Sequence, residues 1–142
     1  MDADESLRRY GLRPSAADLV RIRSLLEAHA SLERAGQGRG DTELMRLCCV
    51  QLFAAGVLDD VLTIWRAKQS SFDAACSIDV QLLCGAGLEA TKAHLAADGS
   101  EDAAAALDHL LSCEAAGDFI GFSVQDRLRS YAEYYLGRPE ES

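Results

Sequence analysis

His109 and Cys113 stand four residues apart, the spacing that points two side chains of one helix the same way. Imidazole and thiolate are both zinc ligands, so the pair could fill two of four tetrahedral positions, with Asp102 close in sequence. The other two ligands would have to come from elsewhere, because no C-x-x-C or H-x-x-x-H spacing supplies them. The plainer reading puts Ala105, Ala106, His109 and Cys113 on a second packing face of the helix. Cys76 or Cys84 with His94 could pair a thiolate with a base, a common activated nucleophile. Cys84, however, falls on an apolar stripe, where cysteine behaves as a small inert hydrophobe. His29 reads as a half-buried edge residue rather than a base. The Gly85-Ala86-Gly87 run lacks the preceding strand and following lysine of a phosphate loop. No catalytic residue and no cofactor are expected, and a metal-binding sensor or enzyme using His109 and Cys113 stands as an alternative.

Two other groups suit recognition better than catalysis. Between Trp65 and Asp73 a tryptophan, Arg66, Lys68, two serines and a phenylalanine gather where a helix meets a loop, and aromatic and arginine residues anchor many interfaces. Against this, Trp65 continues the Leu58, Val61, Leu62 stripe, and Arg66 or Lys68 can complete the helix C-terminus and pair with Asp73. The second group is acidic. Residues 93–126 hold seven acids, Asp98, Glu101, Asp102, Asp108, Glu114, Asp118 and Asp126, with no lysine or arginine. That stretch supplies seven of the nine excess negative charges of the chain. Acidic stretches are usually solvated faces, but an uncompensated one also directs association with a basic partner. The sign argues against nucleic acid, whose binding relies on basic residues.

The elements that must position these residues are expected to be helical throughout. Alanine and leucine dominate, aromatics make up 6% of the 142 residues, and no alternating strand pattern is found. Six helices are expected. The first spans 15–35, with Ser15 and Asp18 as a capping box and Leu19, Ile22, Leu26 and Ala30 in one stripe. Asp41 caps the second, to 55, which is apolar nearly all round and therefore central. A turn at Gly56 leads to the third, to 68, as an antiparallel hairpin. A loop at 69–75 precedes the fourth helix, 77–97, capped by Ser77 and carrying Val80, Cys84, Gly87, Leu88, Thr91 and Leu95. Gly85 and Gly87 inside it imply a bend or the close approach of another backbone. Ser100 caps the fifth, which ends near Gly117 and carries Leu107, Leu110 and Leu111. Ser123 and Asp126 open the sixth, with Val124, Leu128, Tyr131 and Tyr135 inward. One domain over 1–142 is expected, ordered from about 15 to 136 with a disordered tail at 137–142.

The helix-glycine-helix units recur, with Leu47-Cys48 matching Leu83-Cys84 at a separation of 36 residues. Over residues 41–118 this spacing resembles tetratricopeptide repeats, and HEAT-like packing fits it too. The tryptophan, tyrosine and proline positions of the tetratricopeptide motif are not filled in order, and the second unit's first helix is too long. The resemblance implies a scaffold that binds another protein. The expected function is thus a non-enzymatic interaction module docking a protein of basic charge through Asp98, Glu101, Asp102 and Asp108 and the Trp65, Arg66, Lys68, Asp73 corner. An immunity or antitoxin-like inhibitor of a basic toxin is one alternative, and a homo-oligomer completed through the second helix is another. No apolar run is long enough to span a membrane, the first 13 residues are charged instead of signal-like, and the five cysteines are odd in number. These features imply reduced thiols and a cytoplasmic location. Only two of fourteen basic residues are lysine, as expected of a GC-rich bacterial genome.

Overall fold

The computed structural model describes residues 1–137. Among these it contains eight α-helices, two 3-10 turns and no strand, so the all-α expectation holds and the helix number is larger than expected. The helices are α1 (Ala3–Tyr10), α2 (Ala16–Ala35), α3 (Thr42–Ala55), α4 (Val61–Lys68), α5 (Phe72–Ser77), α6 (Leu88–Asp98), α7 (Glu101–Ala115) and α8 (Val124–Leu136). The 3-10 turns are Leu58–Asp60 and Val80–Cys84. No helix among the described residues is long and apolar enough to cross a membrane.

Four of the expected caps form. Ser15, Asp41, Ser100 and Ser123 each accept a hydrogen bond from the backbone N–H three residues on, satisfying a donor that the helix itself cannot. Helix α3 is the centre, with every residue from Leu47 to Phe53 buried, as well as Leu44 and Met45. Its broadest packing is on α2, through Leu19, Ile22, Leu26 and Ala30, instead of on α4. Helix α4 lies across α2 and α5, while α6 and α7 form a hairpin around Gly99. Helix α8 closes the far side, where the Tyr131 ring meets Phe53 edge to face at 6.2 Å.

Three expectations are corrected. Order begins at Ala3: Asp2 caps α1 by accepting from the Glu5 N–H at 2.9 Å, and α1 packs on α3. The loop at 69–75 is mostly α5, capped by Ser71, with Ser77 as its last helical residue and not a cap. The helix expected over 77–97 is interrupted. Ile78 and Asp79 are extended, residues 80–84 form a 3-10 turn, and Gly87, with φ of +99°, starts α6. Both meanings of the glycine pair are realised, because Gly87 redirects the chain while Gly85 lies against the backbone of Phe53. The tail expected to be disordered falls, beyond Gly137, outside the described residues.

Candidate functional site

The acidic stretch is folded onto α6, α7 and the loop to α8. Glu101 and Asp108 lie seven residues apart on α7, hence on one face, and both are exposed. Neither takes part in an ion pair among the described residues. Asp98 is exposed at the end of α6, where one carboxylate oxygen accepts from the Ser100 N–H at 3.1 Å. The Ser100 hydroxyl, and after it this backbone bond, hold its carboxyl below the usual range.

The same stretch is less uncompensated than its composition implies, since bases from outside it fold against it. Arg66 Nε donates to Asp102 Oδ2 at 2.8 Å, joining α4 to α7. Lys92 Nζ, which pairs with Glu89 Oε2 of its own helix at 2.9 Å, also meets Glu114 Oε1 at 3.0 Å and so joins α6 to α7. Both Arg66 and Asp102 are about half exposed, so their pair contributes no more than about 1 kcal/mol. What remains open on α7 is Glu101 and Asp108, set among exposed Ala104, Ala105 and Leu111.

The corner expected around Trp65 to Asp73 is divided between core and surface. Trp65 is only 7% exposed and its ring lies 5.4 Å from that of His109. It is therefore a wedge between α4 and α7, and no part of a docking surface. Lys68 is equally buried. Its ammonium donates to the carbonyls of Ala75 at 2.6 Å and Ile78 at 2.5 Å. It closes the C-terminal end of α5, where a cation complements the free carbonyls, and burial lowers its pKa. Arg66 points to Asp102. Asp73 is exposed, and the contact at that residue is its N–H to Gln37 Oε1 at 3.4 Å. The docking corner expected from the sequence is reduced to Arg66 and Asp73, which face different partners.

The expected His109 and Cys113 neighbours do meet, with Cys113 Sγ 3.5 Å from His109 Nε2. No group of three His, Cys, Asp or Glu side chains placed to hold a metal ion occurs among the described residues. Burial and a hydrogen bond with the Asp118 carboxylate raise the Cys113 pKa, which keeps the thiol protonated. Burial pushes Cys84 up to about 12, as it does Cys48, and holds Cys49 well above the ordinary thiol value. Cys76 is exposed. His29 Nδ1 accepts from the Asp41 N–H at 3.0 Å, so its ring proton sits on Nε2 and the side chain ties α2 to the start of α3.

Three polar constellations were not anticipated from the sequence. Arg23 grips the buried Asp60 carboxylate with two bonds of 2.6 and 2.9 Å. Glu33 is buried and accepts from the N–H groups of Gly38 and Gly40 and from the Ser71 hydroxyl. Arg46 stacks on Tyr134 beside a cleft between α1, α3 and α8. The signals were present in part: Arg46 is the one base in a helix whose other polar residues are Thr42, Glu43 and Gln51, and Asp2 followed by Glu5 is a capping pattern. The chain matches no protein-family model, no curated protein and no solved structure.

Proposed function

We propose that this protein is a non-enzymatic docking module that receives a basic protein on the outer face of α7. The observation that carries this reading is the exposure of Glu101 and Asp108, two turns apart, without a cation paired to either among the described residues. The chain compensates Asp102 and Glu114 with Arg66 and Lys92 and leaves these two open, with Asp98 at the neighbouring turn. Small side chains at Ala104 and Ala105 between them let a partner backbone come close, and the carboxylates supply steering and register. Masking a basic toxin is one form this function would take, because complementary potential speeds capture. The test compares partner recovery by the wild-type chain and by the Glu101→Lys, Asp108→Lys double variant, at low and high salt. Recovery that survives low salt only, and that the double variant abolishes, supports the reading. Recovery unaffected by the charge reversal overturns it.

A further inference from the structure

The cleft between α1, α3 and α8 has no part in the α7 face and carries its own chemistry. It encloses about 250 Å³ and is bordered by Asp4 and Leu7, by Glu43 and Arg46, and by Tyr134 and Tyr135. The Arg46 guanidinium carbon lies 4.8 Å from the Tyr134 ring centroid and 5.8 Å from that of Tyr131. Asp79 Oδ2 lies 3.7 Å from Arg46 Nη2, close enough for an ion pair but too far for a hydrogen bond, and that oxygen already accepts from the Tyr131 hydroxyl at 2.9 Å. Arg46 donates no hydrogen bond to any described residue, although its side chain is only 25% exposed.

A guanidinium presents five donors in a rigid fork that matches a carboxylate. Here the fork is oriented by stacking and partly desolvated, so little further ordering is needed when an acceptor arrives. A simple anion would nevertheless meet two carboxylates in the same cleft. Glu43 lies one turn before Arg46 on the same side of α3, Asp4 faces it from α1, and neither is in an ion pair among the described residues. A ligand with an ammonium group beside its carboxylate satisfies both signs at once. Leu7 and the two tyrosine rings then form an apolar wall. The volume lies below the roughly 300–1,000 Å³ of pockets for drug-sized ligands, which limits the occupant to a small molecule.

We propose that the α1–α3–α8 cleft binds a free α-amino acid with an apolar side chain, its carboxylate on the Arg46 fork and its ammonium between Asp4 and Glu43. The experiment is an NMR titration of the full chain with L-leucine, L-valine, L-methionine and L-phenylalanine, reading the Arg46 side-chain Nε–H and the Tyr135 amide. N-acetyl-L-leucine, which lacks the ammonium, and L-leucine amide, which lacks the carboxylate, are titrated alongside. Saturable shifts are expected with at least one free amino acid, and at least tenfold weaker binding of both blocked forms. Arg46→Gln is expected to remove the response. Should that variant fail to fold, the Asp4→Asn, Glu43→Gln double variant tests the same point, because it must erase the preference for L-leucine over N-acetyl-L-leucine. Absence of saturable shifts with all four amino acids overturns the proposal. So does equal binding of either blocked form, or an unchanged preference in the double variant.

Discussion

Gly85 and Phe53 meet backbone to backbone: a Cβ on Gly85 would lie 2.4 Å from the Phe53 carbonyl oxygen and 3.0 Å from its Cα. The contact locks the 3-10 turn at 80–84 onto the end of the central helix α3. It also explains why residues 77–97 do not continue as one helix, since the chain gives up helical hydrogen bonds there to bring Leu82, Leu83 and Cys84 fully into the core.

Gly85→Ala therefore has a predictable sign. Gly85 has a φ of −62°, which alanine adopts freely, so backbone propensity alone would stabilise the variant by up to about 1 kcal/mol. The clash is with backbone atoms that cannot rotate away, and forcing extra volume into a packed core costs about 1–3 kcal/mol. Urea denaturation is expected to show net destabilisation. A gain in stability would mean that the α3 contact yields without cost.

The bidentate Arg23–Asp60 pair gives a second prediction. Asp60 is 4% exposed, and both of its carboxylate oxygens are engaged by Arg23. Arg23→Met leaves that carboxylate buried without its charged donors, at a cost of about 2 kcal/mol. Adding Asp60→Leu removes the stranded charge, so the double variant is expected to recover part of the loss. A double-mutant cycle by chemical denaturation measures both effects.

What could be read along the chain was what repeats locally. The stripe Leu19, Ile22, Leu26, Ala30, the all-round burial of α3 and the caps at Ser15, Asp41, Ser100 and Ser123 follow from helix geometry and from side chains reaching three residues ahead. Even where the 77–97 helix broke, Val80, Cys84, Thr91 and Leu95 went inside as the stripe required. The misses have tertiary causes. Helix α1 is short and strongly charged, its one fully buried residue is a serine, Ser6, and Leu7 and Tyr10 are only half-buried, and Gln51 holds it by donating to the Gly11 carbonyl at 2.9 Å. The acidic face was legible as composition, but its compensation was not, because Arg66 reaches Asp102 from 36 residues away. Lys68 was misplaced for a similar reason: a lysine goes inside only when carbonyls such as those of Ala75 and Ile78 converge on it.

Thiol chemistry distinguishes the buried from the open cysteines. Cys48, Cys49 and Cys84 are buried and burial raises their pKa, while Cys76 is exposed on α5. In the native protein a thiol-specific chromogenic reagent is expected to label Cys76 rapidly and the half-buried, raised-pKa Cys113 slowly. The other three should react only on unfolding. A Cys76→Ser variant is expected to lose the fast phase, and a fast phase that persists would place an additional thiol at the surface.

Acid should open the α2–α3 connection before it unfolds the core. The Ser71 hydroxyl lowers the Glu33 pKa, burial opposes this, and the Gly40 and Gly38 N–H groups lower it further. A carboxylate with a depressed folded pKa contributes stability that is present above the unfolded value of about 4.3 and is lost as pH falls through the lower folded value. Protonated Glu33 no longer offers a charged acceptor to either glycine amide or to Ser71, so residues 36–41 and the cap of α5 loosen together. Amide exchange read by NMR is expected to show protection at Gly38 and Gly40 falling below about pH 4. The amides of Leu47 to Phe53 in α3 should stay protected. In Glu33→Gln the pH dependence at the two glycines should vanish, and its persistence there would assign the transition to another group.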